Sequence, residues 1–362
     1  MQTIAVVAHA GKSFGGGLPE LRKVLAEEGY PDPLWYEVPK SRKAPKYARR
    51  ALKHGADVLF IWGGDGTVQR CIDALAGTDA VLAILPAGTA NLLATNLKVP
   101  GDLPAAVRTG LHGERRPLDT GSVNGEHFAV MAGAGFDARM IKEADGGMKD
   151  RFGRAAYLYT GARNLGARRA KATIAVDGRR FFKGRISCVL VGNVGKVLGG
   201  VEAFSGARPD DGLLELGVVT AKNPVEWART LGRVALGKSE KSPFVEVTRG
   251  RKFRIRFDRQ FLYELDGGAR PAVSKMKVRV HPSSIRICVP AKEAGRPAGA
   301  GAQAGARSEC RTSAGEEARG LRALRRPGQY PVRPGAAGRR RAAGRPGRLC
   351  APGQRAAGVA AV

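Results

Sequence analysis

The stretch Phe60-Ile61-Trp62-Gly63-Gly64-Asp65-Gly66-Thr67-Val68 decides the fold. An apolar run of strand length ends in a glycine-rich turn that holds one acid, and helix-forming sequence follows. Glycine lets backbone approach a phosphate closely, because no Cβ intervenes. Amides that open the following helix point at the anion. Asp65 then stands beside the phosphates, placed to hold Mg²⁺ or to accept a proton from a hydroxyl. The competing interpretation is an ordinary Gly-Asp-Gly turn, since glycine clusters punctuate loops in general.

Working outward, a second turn repeats the logic in Ala83-Ile84-Leu85-Pro86-Ala87-Gly88-Thr89-Ala90-Asn91-Leu92-Leu93. It too follows a strand-like run and opens a helix. Thr89 and Asn91 serve either as helix caps or as contacts to nucleotide or phosphate oxygens. Two such turns on consecutive strands make accident a poor account. Neither matches the Walker loop or the dinucleotide fingerprint. Upstream, Ile4–Ala8 and Leu34–Val38 join Val58–Trp62 and Val81–Leu85 as strand-length runs, with helical spacing between them at Leu18, Leu21, Val24 and Leu25 and again around Tyr47–Leu52. Strand–helix alternation with short connections predicts an α/β layer with a parallel sheet. Ligands of such sheets bind at the carboxyl ends of the strands, where both turns fall.

Beyond about Ser122 strand patterns dominate: His127–Met131, Lys171–Val176, Ile186–Val191, Leu213–Thr220, Phe253–Phe257, Phe261–Leu265, Met276–Val280 and Ile285–Val289. Helical stretches interrupt them near Arg154–Leu165 and Pro224–Leu236. This predicts a mostly antiparallel β-sandwich or open barrel over 123–290 beside an α/β domain over 1–122, with the cleft between them as the active site. From Ala291 the chain turns to Gly, Ala, Pro and Arg with hardly an aromatic or β-branched residue, and 291–362 is expected to be a disordered cationic tail.

Charge supports an anionic partner. The chain holds 61 Lys+Arg against 32 Asp+Glu, a net +29; the tail accounts for 15 and 4 of these, leaving 46 against 28 upstream. Such a surface attracts anionic lipid headgroups and nucleic acid alike, but no nucleic-acid-binding module is recognisable. No apolar run is long enough to span a bilayer, and the N-terminus lacks signal-peptide character. Cys71, Cys188, Cys288, Cys310 and Cys350 show no metal spacing, so a cytoplasmic protein is expected. His9, His54, His112, His127 and His281 show none either.

Gly63-Gly64-Asp65-Gly66-Thr67 followed by Pro86-Ala87-Gly88-Thr89-Ala90-Asn91 closely resembles the catalytic domain shared by diacylglycerol kinases, sphingosine and ceramide kinases and bacterial soluble lipid kinases. The likeness extends to Gly133-Ala134-Gly135-Phe136-Asp137, to Gly153-Arg154-Ala155-Ala156-Tyr157, to Gly192-Asn193 and to Pro209-Asp210-Asp211-Gly212-Leu213-Leu214, and so covers roughly 1–290. The resemblance implies an α/β, NAD-kinase-like first domain with parallel strands and an antiparallel β-sandwich second domain. It also implies an ATP-dependent lipid kinase, cytoplasmic and peripheral to an anionic membrane surface, with a homodimer reasonable. Nucleotide binding is carried to Gly11, Lys12, Ser41, Gly63, Gly64, Asp65, Gly66, Thr67, Gly88, Thr89 and Asn91. A Mg²⁺ outside the catalytic centre is carried to the side chain of Asp211 and the carbonyls of Arg208 and Leu213, a hard-oxygen set that suits the ion.

The chain departs from the family in three places. His9-Ala10-Gly11-Lys12-Ser13 replaces the usual Asn-Pro-x-Ser-Gly-like turn after the first strand, and Lys40 and Ser41 stand where the family has a threonine. Bacterial members show Asp-Gly-Glu near the end, their glutamate taken as the base, whereas this chain reads Leu265-Asp266-Gly267-Gly268. Asp65 is one candidate base, Asp266 or Glu264 another, and a weak or binding-only relative a third outcome. NAD kinases share the Gly-Gly-Asp-Gly turn but carry an Asn-Glu pair where this chain has Pro86 to Asn91, which favours a lipid. Phosphofructokinases do not suit the β-rich second half.

Overall fold

The structure is a computed structural model that describes residues 2–135, 169–197, 201–235 and 241–291. The expected Arg154–Leu165 helix, the turn at Phe136-Asp137 and the cationic tail after Ala291 lie outside these residues.

The first half is a parallel α/β layer. Strands β1 (Ile4–His9), β2 (Leu34–Val38), β3 (Val58–Gly63) and β4 (Val81–Pro86) lie in the order β2-β1-β3-β4, all parallel. Helices α1 (Gly17–Glu27), α2 (Ala44–Lys53), α3 (Asp65–Leu75), the short α4 (Leu92–Asn96) and α5 (Leu103–His112) connect and cover them, with a 3₁₀ turn at Ser41–Lys43. β1, β3 and β4 read as unbroken apolar runs because both faces are covered. Alternate residues divide accordingly. Val7, Leu59, Ile61, Leu82 and Ile84 pack with α2 and α3, while Val6, Phe60, Trp62, Ala83 and Leu85 pack with α1 and α5. Each large side chain so buried contributes on the order of 2 kcal/mol.

The second half is a mostly antiparallel β-sandwich. Its strands are β5 (Glu114–Val123), β6 (Glu126–Phe128), β7 (Met131–Ala134), β8 (Ala170–Val176), β9 (Arg179–Ile186), β10 (Cys188–Gly192), the short pair β11 (Lys196–Val197) and β12 (Val201–Glu202), then β13 (Leu214–Val219), β14 (Val245–Gly250), β15 (Lys252–Leu265) and β16 (Gly268–Val289), with helix α6 (Pro224–Ala235) after β13. Its core holds Phe128, Ile174, Val189, Leu216, Phe253, Ile255 and Met276. β16 spans both halves. Its first part pairs antiparallel with β15 and β5, and after an irregularity between His281 and Ile285 it runs parallel to β4 at Arg286 and Ile287.

Two sequence expectations need amendment. The single run His127–Met131 is split into β6 and β7, because the amides of Ala129, Val130 and Met131 leave the ladder and bond to the Asp266 carboxylate. β5, β9 and β14 have no counterpart among the expected strands. β5 opens Glu-Arg-Arg-Pro and is buried only from Leu118 onward, and β9 opens Arg-Arg and is fully buried only at Ile186, so neither begins as an apolar run.

Candidate active site

All four parallel strands deliver a candidate residue at their carboxyl ends. The connection after β1 leads to β2 on one side and the connection after β3 leads to β4 on the other, so the crevice above β1 and β3 is the topological switch point of the sheet. Gly11 and Lys12 follow β1, where the Gly11 amide donates to His9 Nδ1 at 3.2 Å and the Lys12 carbonyl accepts from Trp62 Nε1 at 3.0 Å. Trp62 thus anchors the first loop from the end of β3, with Phe14 stacked at a tilt on its other side, 5.9 Å between centroids. Ser41 opens the 3₁₀ turn after β2. Gly63, Gly64, Asp65, Gly66 and Thr67 form the turn from β3 into α3, and Gly88, Thr89 and Asn91 the turn from β4 into α4.

The two glycine turns touch backbone to backbone. A Cβ on Gly88 would lie 2.4 Å from Gly64 Cα and 2.6 Å from Asn91 Oδ1, and one on Gly64 only 3.1 Å from Gly88 Cα. No side chain fits at either position unless the turns separate. Gly66, by contrast, faces open space. Asn91 holds the second turn from within. Its residue takes the left-handed conformation, φ 45°, which asparagine tolerates better than most. Its Oδ1 accepts from Gly88 N at 2.9 Å, and its Nδ2 donates to the carbonyls of Pro86 at 3.0 Å and Gly88 at 2.8 Å. The asparagine read as a ligand contact is therefore committed to shaping the loop.

Asp65 joins the turns a second way. Its Oδ1 accepts from the Leu92 amide at 2.6 Å, so an acid opening α3 also caps α4. Burial raises its pKa above the usual carboxylate range, against backbone hydrogen bonds from Leu92, Leu93 and Asn91 that lower it.

From the sandwich side comes the β15–β16 hairpin, closed by Asp266 and Gly267, both at positive φ as a two-residue Asp-Gly turn requires. Asp266 is 4% exposed. One of its oxygens accepts from Ala129 N at 2.8 Å, the other from Val130 N at 2.9 Å and Met131 N at 2.8 Å. Burial pushes its pKa up to about 6 despite those three amides, and the charge of Asp65 adds to the rise. The structure thus brings Asp65 and Asp266 within electrostatic reach, with Asp266 fully engaged by backbone. Glu264, two residues earlier, is 5% exposed. Its neighbours Tyr263 and Leu265 point into the sandwich core, so Glu264 lies on the opposite face, across from Gly133. Burial, then the charge of Asp266, pushes its pKa up to about 7.

One cluster has no sequence signature. Arg270 donates through Nε to both Glu126 oxygens at 2.9 and 2.8 Å, and through Nη2 to Gln69 Oε1 at 3.1 Å. These three side chains link β16, β6 and α3. The same guanidinium donates to the Gly268 carbonyl at 2.9 Å, and a Cβ at Gly268 would meet Arg270 Nη1 at 2.8 Å. Arg270 therefore fills the space a side chain at 268 would take.

Arg208, Asp211 and Leu213 lie in the turn leading to β13. Asp119 on β5 pins this turn, its oxygens accepting from Gly212 N at 2.6 Å and Ser283 N at 2.8 Å, and its own amide donating to Pro209 O at 2.7 Å. Asp211 Oδ1 accepts from Leu213 N at 3.0 Å. Among the described residues no group of three His, Cys, Asp or Glu is gathered as a metal cage. Asp211 with two backbone carbonyls still offers the hard oxygens that Mg²⁺ takes alongside several waters.

A parallel nucleotide-type sheet crossed by two glycine turns, joined to a β-sandwich that lends a buried carboxylate, defines a phosphotransferase of the kinase type. The comparisons agree. The diacylglycerol kinase catalytic domain family matches residues 6–123, and the YegS C-terminal NAD kinase beta sandwich-like domain family matches 130–289. The chain belongs to this lipid kinase family. It is 31% identical over 263 residues to a "Probable lipid kinase YegS-like" of Pseudomonas aeruginosa, covering 68% of this chain and 82% of that one. It is 28% identical over 224 residues to a diacylglycerol kinase of Bacillus subtilis, covering 61% and 74%. A diacylglycerol kinase structure from Bacillus anthracis superposes with a TM-score of 0.66 at 22% identity, over 80% of this chain and 97% of the other, which establishes the shared fold. Among the described residues no helix is long and apolar enough to cross a membrane.

Proposed function

We propose that this chain transfers the γ-phosphate of ATP to the hydroxyl of a membrane lipid, with residues 1–122 holding the nucleotide and 123–290 presenting the lipid. The observation that carries this reading is the contact of Gly64 with Gly88 beneath the N-terminus of α3. It leaves a side-chain-free cradle of amides where phosphates can approach backbone. Gly63 to Thr67 and Gly88 to Thr89 line the phosphates, Gly11 and Lys12 close over them from β1, and Ser41 borders the nucleotide from β2. Asn91 contributes by keeping the Gly88 amide in place.

The lipid hydroxyl enters from the sandwich side and attacks the γ-phosphorus in line, as the bond from phosphorus to the β–γ bridging oxygen breaks and ADP leaves. Asp65 takes the hydroxyl proton through Oδ2, its Oδ1 being held by Leu92. Burial keeps that carboxylate more basic than an exposed one. Asp266 acts by shaping the 129–131 loop and placing a second negative charge nearby. Much of phosphoryl transfer is positioning and charge stabilisation, so the absence of a carboxylate at Gly268 does not forbid turnover. A second reading gives the proton to Glu264, because its buried carboxylate accepts no hydrogen bond among the described residues. Mg²⁺ bound by Asp211 and the Arg208 and Leu213 carbonyls would stiffen the turn pinned by Asp119; a cation carried with ATP would neutralise phosphate charge.

The test is phosphate transfer from labelled ATP onto a panel of lipids in mixed micelles, with Asp65→Asn and Glu264→Gln alongside. Product from one lipid, abolished by Asp65→Asn and retained by Glu264→Gln, supports the scheme. Retention in Asp65→Asn with loss in Glu264→Gln moves the base to Glu264. No product from any lipid, with ATP binding intact, overturns the kinase reading.

A further inference from the structure

The outward face of the β-sandwich is charged in a way the fold does not need. β15 alternates buried Phe253, Ile255 and Phe257 with exposed Lys252, Arg254 and Arg256, and β16 alternates buried Met276 and Val278 with exposed Lys275, Lys277 and Arg279. The register sets these cations directly opposite one another, as Lys252 with Arg279, Arg254 with Lys277 and Arg256 with Lys275. On the next strand pair outward, exposed Lys171 of β8 faces exposed Arg185 of β9. Like charges in facing pairs destabilise a sheet. None of these eight side chains has an ion-pair partner among the described residues. A run of facing pairs with no acidic partner among the described residues marks a surface open to an outside counter-charge.

The shape selects the occupant. The face is a broad sheet across four adjacent strands, not a groove, and its exposed positions hold no aromatic ring on which bases could stack. β16 begins at Gly268 beside the active site and carries this face 7 to 11 residues further on, roughly 23 to 36 Å along the strand at about 3.3 Å per residue. A flat cationic plane at that distance from a lipid phosphotransferase site suits the headgroups of a bilayer. We infer that the outward face of β8, β9, β15 and β16 is the platform on which this protein docks to anionic phospholipid membranes. The choice of a bilayer rests on the lipid kinase reading, but the docking itself is measurable without ATP or an acceptor lipid.

The experiment is flotation of the full-length protein with phosphatidylcholine vesicles, with and without phosphatidylglycerol. It compares wild type with Arg254→Gln, Arg256→Gln and Lys277→Gln combined. A control removes the same charge from the exposed side of α2, as Lys46→Gln, Arg49→Gln and Lys53→Gln combined. A third protein carries Arg254→Lys and Arg256→Lys, which keep charge and change shape. Expected are a roughly hundredfold loss of partitioning to phosphatidylglycerol vesicles for the platform variant, and a loss under about fivefold for the α2 variant. Partitioning of the lysine variant stays near wild type, and the platform variant unfolds at or above the wild-type temperature, because facing like charges have been removed. Equal losses in the platform and α2 variants, a lysine variant as weak as the glutamine one, or vesicle binding left intact in the platform variant would each overturn the assignment.

Discussion

Replacing Gly88 with alanine tests the cradle at its tightest point. The added methyl would sit 2.4 Å from Gly64 Cα, where carbon atoms need at least about 3.4 Å. Backbone has to give, because the neighbour is a Cα and not the end of a flexible side chain. The two turns must part by about 1 Å, which also lengthens the Asp65–Leu92 hydrogen bond, now 2.6 Å. Overpacking of this kind costs about 1–3 kcal/mol of stability, and a 1 Å misplacement of positioning groups costs about a hundredfold in rate. Gly66→Ala is the counterpart. Its methyl enters open space at a helical position with ordinary φ, so stability should hold or rise by a few tenths of a kcal/mol. If phosphate rests on that turn, its affinity for nucleotide should still fall. The assay is thermal unfolding with and without ATP, together with steady-state kinase rates. Gly88→Ala with wild-type stability and activity within about threefold would refute the reasoning that the turns' contact builds the site.

Glu264→Gln should change how stability depends on pH. The folded pKa of about 7 lies above the ordinary 4.5, so the folded state holds this proton more tightly than the unfolded chain does. That contribution favours folding at acid pH and is lost as pH rises from about 4.5 to about 7, up to about 3 kcal/mol in all. Urea unfolding of both proteins across that window should show the variant gaining on wild type by that amount; a constant difference contradicts it. Asp266→Asn keeps one acceptor oxygen and turns an amide NH₂ toward backbone N–H groups, so about 3 kcal/mol should be lost at neutral pH, read as a lower urea midpoint. Asp65→Asn retains an oxygen for Leu92, so it should fold within about 1 kcal/mol of wild type while losing phosphate transfer; equal loss of both would make Asp65 structural only. Arg270→Lys should weaken the tie among β6, β16 and α3 by about 1–2 kcal/mol, because an ammonium cannot reproduce the fork on Glu126, and double-mutant cycles with Glu126→Gln measure that coupling.

The legible parts of this fold are those whose pattern is local. β1, β3 and β4 are uniformly apolar because helices cover both sides, and the glycine turns sit in the sequence as they do in space. β9 and the start of β5 were illegible because their exposed positions hold arginine and lysine, which are poor strand formers by composition, and Pro117 adds to the disguise. The site was half legible. Asp65 and the glycines are adjacent in the chain, but the engagement of Asp266 by the 129–131 amides and the Arg270–Glu126–Gln69 cluster depend on residues brought together only by the finished sheet. Asp266 stood out as a chemical group; that its oxygens hold backbone amides is visible only in three dimensions.

The passage of β16 from the sandwich into the parallel layer bears on the order in which the molecule is made. β4 has β3 on one side, and on the other it meets Arg286 and Ile287, which a ribosome delivers after all the other strands of the sheet. Until then the parallel α/β half carries an open, apolar strand edge, the kind that pairs readily with another chain. Long-range closure of this sort is slow to form. A fragment ending near Val123 should therefore be prone to association even though each of its helices is in place. The last strand is what finishes the first domain.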